Sequence, residues 1–423
     1  MGNLLNRTDR PRNNHSLNKV INLGIPHVGE LIFESLDTPE LIKYLEVSET
    51  WRELAENVLI KRWKGKMFEA CKNGETKVVQ ILLERCNPEE SGLNIKDEHG
   101  GTPFMLACFN GNKDVVQLLL DHSERIELNA RDNKGNTALI WACYEKHTDV
   151  VQLLLDHSNN IDLNARDNVV GLTAIGWACA YGHKDVVQLL LGHINRIDVH
   201  ARSIHNGGRT AFMWACQHGH KDVVQLLLEH LDPHIELNAR NDSEKTAFMD
   251  ACARGHKGVV QLLLDQWGSY IDLNARDRYG ETALMIACNF GRIDVVKLLL
   301  EHSNKIDLTA RDEHGRTAFM FACSIGSKKD IVKMLIDSSN PNIELNTPDD
   351  YGRTPLMVAC QYGSKDVVQL ILNLSDKSIE LNAKDNEGKT AMMHAVPSIF
   401  RSKSSSEEIV QLLLEHSEGI FQN

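Results

Sequence analysis

The sequence predicts an all-α protein, a solenoid of stacked helix-turn-helix units preceded by a small helical segment. Three observations predict this fold class. Thr-Ala or Thr-Pro dipeptides recur every 35 to 37 residues, a period typical of stacked units, at Thr102, Thr137, Thr173, Thr210, Thr246, Thr282, Thr317, Thr354 and Thr390. The length of 423 residues exceeds one compact core. The chain contains 42% apolar and 25% charged residues, which is ordinary for a folded protein.

Each unit reads as turn, helix, turn, helix. The first turn carries residues such as Asp132 and Gly135, which tolerate the backbone angles of a tight turn, and Thr137 is then a suitable N-cap for the first helix. The second helix has apolar residues, such as Val150 and Leu154, on more than one face. Such a helix needs a neighbour on both sides, which a stack supplies and a single unit does not.

These units resemble the ankyrin repeat, whose pattern runs D-x-x-G-x-T-P-L-H-x-A-A-x-x-G-H and continues into an apolar helix. The resemblance covers residues 66–418 and implies about ten units, of which the first and last are caps. We expect a flexible terminus at 1–22 and a short tail at 419–423. The His position of the pattern is usually apolar here, so we expect packing to replace its hydrogen bonds, at Met105, Ile140, Met213, Met285, Met320 and Met357.

Cysteine and histidine also follow the repeat. Eight of the ten cysteines stand six residues after the repeat threonine, Cys71 holds the equivalent place in the first unit, and no C-x-x-C pair occurs. We interpret them as small packing residues with reduced thiols. Histidines such as His183, His220 and His256 are spread along the repeats rather than gathered at one point, so we predict neither a metal site nor a cofactor. No catalytic constellation is visible, and we predict that the chain is not an enzyme.

The net charge of −12, without a basic cluster, argues against nucleic acid as a partner. No stretch approaches 18 apolar residues, and the first residues lack the apolar run of a secretory signal. We therefore expect no membrane partner and an intracellular, cytoplasmic location, with the nucleus as an alternative. We also expect a monomer apart from its partners.

The first helix of each unit offers a candidate binding surface. Positions four, seven and eight after the threonine share one side of that helix. The ankyrin resemblance implies that this side faces a concave groove, occupied here by Phe109, Trp141, Tyr144, Trp177, Tyr181, Trp214, His218, Asp250, Arg254, Phe290, Phe321 and Tyr362. Aromatic residues dominate binding hot spots, so we predict that this groove binds an unknown protein substrate with a partly apolar surface. Two alternatives stay open: position four only fills space between repeats, or the turn tips bind, at Val169, Val170, Tyr279 and Tyr351.

Residues 23–64 carry apolar residues that predict three short helices near 28–36, 39–47 and 49–62, with start signals at Thr38-Pro39 and Ser48. A piece of this size has too small a core to stand alone, so its apolar face needs a partner or the adjacent repeat. Only about three residues separate Trp63 from the first repeat, which predicts a stiff junction.

This segment resembles the F-box, which opens with Leu-Pro and closes with Ser-x-x-Trp. The matching positions are Ile25, Pro26, Leu31, Ile32, Leu36, Leu41, Leu45, Val47, Ser48 and Trp51; Ile25 replaces the usual leucine, and Val28 stands where an acidic residue is usual. The resemblance implies docking onto a Skp-type adaptor and a cullin–RING ubiquitin ligase core, with the substrate held by the groove. The open alternative is that these helices only cap the first repeat of a plain ankyrin scaffold.

Overall fold

A computed structural model describes residues 26–63, 65–87, 91–230, 237–324, 329–338, 345–374, 379–396 and 403–421. Within these residues all regular structure is helical, as the sequence predicts. The chain forms two compact units, residues 1–169 and 170–423. In each repeat, the helix that follows the repeat threonine is called the inner helix and the next one the outer helix.

The first unit contains nine α-helices among its described residues: α1 (Pro26–Ser35), α2 (Thr38–Tyr44), α3 (Glu49–Trp63), α4 (Met67–Asn73), α5 (Thr76–Arg85), α6 (Pro103–Phe109), α7 (Lys113–Leu120), α8 (Ala138–Tyr144) and α9 (Thr148–Asp156). Short 3₁₀ turns at Ser123–Arg125 and Ser158–Asn160 follow α7 and α9. The inner helices α4, α6 and α8 pack in sequence order, and so do the outer helices α5, α7 and α9. This two-layer stacking buries both faces of each middle repeat.

The second unit repeats the same two layers. Its inner helices are α10 (Ala174–Tyr181), α12 (Ala211–Gln217), α14 (Ala247–Arg254), α16 (Ala283–Asn289), α18 (Ala318–Cys323), α20 (Pro355–Tyr362) and α22 (Ala391–Ala395). Its outer helices are α11 (Lys184–Leu191), α13 (Lys221–His230), α15 (Lys257–Trp267), α17 (Ile293–Glu301), α19 (Lys329–Asp337), α21 (Lys365–Leu372) and α23 (Lys403–Phe421). Consecutive inner helices pack on one another throughout this unit, from α10 to α22.

The repeat threonine caps the inner helix, as predicted. In eight of the nine repeats its hydroxyl accepts a hydrogen bond from the backbone N–H three residues later, for example Met105 N to Thr102 Oγ1 at 3.2 Å. Thr390 makes no such bond. The expectation that apolar packing replaces the motif's hydrogen bonds holds only partly. The methionines are buried, but the sulfur atoms of Met249 and Met285 accept hydrogen bonds from the threonine N–H at 3.5 and 3.4 Å.

The turn before each inner helix is built around its aspartate. In one repeat Asp132 Oδ1 accepts the backbone N–H groups of Lys134 and Asn136 at 2.9 and 2.8 Å, and Gly135 adopts φ +80°. Consecutive turns are joined by a backbone hydrogen bond, such as Asn133 N to His99 O at 2.9 Å. The turns therefore align the inner helices in register, which places equivalent positions of successive repeats side by side.

The cysteines and the predicted turn histidines lie in structural positions. All ten cysteines are buried and free, and burial raises the pKa of the Cys71 thiol to about 12. Residues preceding the outer helices bond to the previous repeat: His147 Nε2 lies 2.8 Å from Phe109 O, and His220 Nε2 lies 2.9 Å from Ala180 O. These contacts join the inner helix of one repeat to the outer helix of the next.

The N-terminal segment forms the three predicted helices with slightly different bounds. Asp37, rather than Thr38, caps α2 and forms a capping box with Glu40, whereas Ser48 Oγ accepts from Trp51 N at 3.4 Å, consistent with the cap expected for α3. Helices α1 and α2 pack on α3, which in turn packs on α5 of the first repeat. The segment is therefore attached to the repeats through α3.

The last repeat differs from the others in the lengths of its two helices. Its inner helix α22 has five residues and its outer helix α23 has nineteen. This repeat carries an insertion, SIFRSKSSSEE at 398–408, and because α23 begins at Lys403, the second half of that insertion is helical. Residues 397–402 lie outside the described residues.

Candidate protein-binding surface

In the first unit, three predicted groove residues form one aromatic cluster on the inner helices. The rings of Phe109 and Trp141 meet edge to face at 5.2 Å, and Trp141 meets Tyr144 in the same manner at 5.7 Å. All three side chains are half-buried. The indole of Trp141 donates a hydrogen bond to Asp132 Oδ2 at 3.1 Å. This bond fixes the ring, and a cavity of about 210 Å³ opens beside it.

In the second unit, two repeats each carry a stack of three rings. Trp177, Tyr181 and His183 form one stack, with centroids 5.9 Å apart at each step. Trp214, His218 and His220 form the other, with steps of 5.5 and 6.1 Å. A cavity of about 500 Å³ is lined by residues of both stacks. Burial lowers the pKa of His218, which favours its neutral form against Trp214.

Charged residues replace the aromatic ones in the next repeat of that unit. Asp250 is buried and pairs with Arg209, whose Nε lies 3.2 Å from Asp250 Oδ2. Burial raises the pKa of Asp250, although Arg209 opposes that shift. Arg254, at the end of the same helix, is exposed. The inner face of α14 is therefore polar, with one part-buried ion pair and one exposed guanidinium.

The remaining predicted groove residues lie on or directly after three further inner helices. Phe290 and Tyr362 are exposed, by 53% and 57%. Phe321 is buried, with the guanidinium of Arg316 over its ring at 4.4 Å. Because Phe321 and Trp214 are buried at position four while Trp141 is only half-buried, that position fills space in some repeats and borders solvent in others.

The turn tips also expose large side chains. In the second unit Tyr279 and Tyr351 are 56% and 54% exposed, and Tyr351 lies 6.2 Å from the His314 ring of the preceding tip. Val170 is half-buried and lines the cavity beside Trp177. In the first unit Val169 is 58% exposed. The tips are thus a second surface with exposed apolar groups.

The residues expected to bind an adaptor fall into three groups. Ile25 lies outside the described residues, and Pro26 begins α1. Leu31 is 65% exposed, whereas the half-buried residues are Ile32, Leu36 and Leu45. Leu41 and Trp51 are buried within the segment, and the ring of Trp51 contacts Phe33 at 5.7 Å and Tyr44 at 5.0 Å. Leu41 and Trp51 therefore support the segment's own core.

The residues that precede the repeat threonine are absent from the groove residues that the sequence predicts, yet they border the same face. Arg209 packs over Trp214 at 5.7 Å, and Arg316 and Arg353 bond to the turn aspartates Asp312 and Asp349. The signal was available, because an arginine stands directly before the threonine in these repeats, four residues after Asp312 and Asp349 and six residues after Ser203. These side chains form the polar border of the inner-helix face.

Neither a metal cluster nor a membrane-spanning helix is found among the described residues. In the described part of the chain, no group of three or more His, Cys, Asp or Glu side chains is arranged to hold a metal ion. None of the described helices is both long and apolar enough to cross a membrane.

Comparison with known proteins identifies the repeats. A family model described as ankyrin repeats (three copies) matches residues 67–167, 159–241, 231–312 and 319–423. A comparison with curated proteins finds none that matches the chain. Ankyrin repeats indicate binding to other proteins, and such helical stacks are typically non-catalytic scaffolds. With most of its length matched, the chain belongs to the ankyrin-repeat family.

Proposed function

We propose that the chain is the substrate-recognition subunit of a Skp–cullin–F-box-type ubiquitin ligase. Residues 23–64 bind a Skp-type adaptor, and the inner-helix face of the repeats binds a protein substrate. Catalysis belongs to the recruited ubiquitin-conjugating enzyme, while this chain positions the substrate. The protein works inside the cell, in the cytoplasm.

The exposure of Leu31 carries the adaptor part of this proposal. The N-terminal segment already has a small core in which Phe33, Leu41 and Trp51 are buried. Leu31 is nevertheless 65% exposed, and Val47 is 43% exposed. Large apolar side chains left outside a completed core in so small a segment favour a surface that another protein covers.

The attachment of α3 supports a positioning role. Helix α3 packs on α5, Arg85 pairs with Glu56 at 2.8 Å, and Lys66 N donates to Trp63 O at 2.9 Å across the junction. An adaptor bound on α1 and α2 would therefore keep a fixed distance from the first repeats. A fixed distance is useful for delivering a substrate to a separate catalytic partner.

The same packing favours a second candidate, a plain ankyrin scaffold. Val58, Leu59 and Trp63 of α3 are buried, and α3 packs on the outer helix of the first repeat. A helix in this place covers apolar surface that an end repeat would otherwise expose. In this alternative residues 25–63 are a cap without an adaptor.

The test is complex formation with a purified Skp-type adaptor, followed by size-exclusion chromatography with light scattering. Trp51 is buried, so its substitution would damage the segment rather than a contact. Leu31→Glu changes an exposed residue, and Ile95→Glu changes one that is 52% exposed elsewhere in the first unit. We expect a 1:1 complex with the wild type and Ile95→Glu, and none with Leu31→Glu. If the folded wild type forms no complex, the adaptor proposal is wrong and the plain ankyrin scaffold is the function that remains.

A further inference from the structure

We propose that the cavity beside Trp141 binds an arginine side chain of the partner protein. The cavity measures about 210 Å³ and is lined on its inner-helix side by Leu106, Phe109 and Trp141 and on its turn side by Asp97 and Asp132. This inference rests on the proposed substrate-binding role of the inner-helix face. It does not depend on the N-terminal segment, so the two proposals are tested separately.

The aromatic wall suits a planar cation. The rings of Phe109 and Trp141 stand at 84° to one another with centroids 5.2 Å apart. A guanidinium stacks on the face of an indole and is less strongly hydrated than an ammonium, so it leaves water more easily for such a site. The second unit already contains this arrangement internally, where Arg209 lies 5.7 Å from the Trp214 ring and Arg316 lies 4.4 Å from the Phe321 ring.

The charges around the cavity favour a cation. Asp97 and Asp132 both line it, and its lining contains no lysine or arginine. The one titratable base there, His99, is 82% exposed at its side chain and lies 3.7 Å from Glu98. A cationic side chain entering the cavity therefore meets carboxylates without a competing fixed cation.

Comparison between repeats shows that Asp97 differs from four other turn aspartates, whereas Asp277 Oδ2, which also has no hydrogen bond, lies 3.6 Å from Lys245 Nζ. Asp312 and Asp349 each bond through Oδ2 to the arginine that precedes the repeat threonine. Asp385 Oδ2 lies 2.7 Å from the Nε2 atom of His394, which stands at position four. Asp132 Oδ2 bonds to Trp141, also at position four. In each of these repeats the sequence supplies a partner for the second carboxylate oxygen.

In the repeat of Asp97 both of those positions lack a donor side chain. Gly101 precedes the threonine, and Leu106 stands at position four. Asp97 Oδ1 accepts the N–H groups of His99 and Gly101 at 2.9 and 2.8 Å, which fixes the carboxylate. Its Oδ2 has no hydrogen bond to any residue that the structure describes. A fixed carboxylate with one oxygen open beside an aromatic wall matches the geometry of a guanidinium.

The glycine at position 101 keeps this oxygen accessible. A Cβ atom at Gly101 would lie 3.3 Å from both carboxylate oxygens of Asp97, and a longer side chain would extend toward them. Gly101 does not have the positive φ of the turn glycine Gly100, so its turn does not require glycine there. Glycine at position 101 is therefore best explained by the space that it leaves beside the Asp97 carboxylate.

The experiment follows the ¹⁹F signal of Trp141 in the full chain labelled with 5-fluorotryptophan. The signal is assigned from its loss in Trp141→Phe. N-acetyl-arginine methylamide is titrated as the probe, and its citrulline analogue serves as the neutral control of the same shape. Asp97→Asn keeps the turn acceptor but removes the charge. Asp114→Asn, at an exposed site on the outer helix α7, is the matched control.

We expect the arginine probe to shift the Trp141 signal and the citrulline probe to leave it unchanged at the same concentration. Asp97→Asn should raise the dissociation constant about tenfold, because it removes a charge-assisted contact, while Asp114→Asn should match the wild type. Equal shifts from arginine and citrulline, or equal affinities of the two variants, would overturn the proposal. Both variants should bind the adaptor as the wild type does, which separates this outcome from the adaptor test.

Discussion

Trp141 donates its indole N–H to Asp132 Oδ2 across 3.1 Å, which ties the inner helix α8 to the turn of its own repeat. Trp214 occupies the same position in a later repeat, but its Nε1 atom is buried without a hydrogen-bond partner. Ser203 takes the place of the aspartate there, since Arg209 N donates to Ser203 Oγ at 2.9 Å as Asn136 N donates to Asp132. The serine side chain supplies one oxygen where the aspartate supplies two.

The first prediction concerns a variant that supplies the hydrogen-bond acceptor missing for the Trp214 indole. Ser203→Asp places a second oxygen where Asp132 has it, so it should raise the free energy of unfolding by about 1 kcal/mol, the usual net value of a buried hydrogen bond. Ser203→Ala, which also removes the acceptor for Arg209 N, should lower it by a similar amount. Urea denaturation of the three proteins measures the difference. A destabilised Ser203→Asp would contradict this prediction.

Much of the fold could be predicted from the sequence, because the fold depends on short-range interactions whose residues recur in every repeat. The threonine cap, the turn glycine and the buried cysteine occupy fixed positions in the period, and the structure places them there. Nine in-phase copies remove the ambiguity that a single short apolar segment would have. The stacking then follows, because each outer helix must bury more than one face.

The details of the candidate surface could not be predicted in the same way. Trp141 and Trp214 share a position, yet one is half-buried and bonded and the other is buried without a partner, because the turn before Trp214 differs. The open carboxylate of Asp97 likewise depends on what two other positions lack. Such differences arise from side chains about five to ten residues apart that meet only after folding. The repeat pattern, which describes one position at a time, does not predict these side-chain contacts.

The second prediction concerns the ion pair between half-buried Arg209 and buried Asp250. Burial raises the pKa of Asp250 despite the adjacent guanidinium, so the folded protein holds this carboxylate against a desolvation cost. Asp250→Leu alone should lower stability by about 2 kcal/mol, because half-buried Arg209 then loses its carboxylate partner. The double variant Arg209→Met/Asp250→Leu should recover most of that loss. Thermal and urea unfolding of the four proteins form the required cycle, and additive losses would contradict this account.

The third prediction follows from the buried thiols. Burial raises the pKa of Cys71 to about 12 and shifts the pKa of Cys108 and Cys216 upward from the ordinary 9.0. Because the folded pKa lies above the unfolded one, the folded state holds protons that the unfolded state releases, and stability should fall as pH rises above about 9. Below that value the thiols should leave stability unchanged.

The same burial should make the thiols unreactive. At pH 8 a thiol reagent such as dithionitrobenzoate should modify almost none of the ten cysteines in the native chain and all ten in guanidinium chloride. Rapid modification of a native cysteine, mapped by mass spectrometry, would identify a repeat that opens on its own. A control with the reagent and free cysteine at the same pH fixes the intrinsic rate.

The last prediction separates two reasons for glycine in the turns, which are the positive φ angle and the lack of space for a Cβ atom. Gly219 and Gly388 have nearly the same positive φ, 75° and 77°, but a Cβ atom at Gly219 would lie 2.4 Å from His256 Nδ1, whereas one at Gly388 meets nothing within 4 Å. Gly388→Ala should therefore cost only the backbone strain, about 1 kcal/mol. Gly219→Ala should cost roughly 2 kcal/mol more, since it also displaces the His256 ring whose Nε2 lies 2.7 Å from Gln217 O.

The double variant Gly219→Ala/His256→Ala tests that explanation directly. If the clash with the histidine ring is the cause, removing the ring should make the two losses less than additive, with a coupling of about 1 kcal/mol or more. Urea denaturation of the single and double variants gives the coupling. Equal costs for Gly219→Ala and Gly388→Ala would mean that the histidine moves without penalty. The contact from one repeat's outer helix to the previous inner helix would then contribute little to stability.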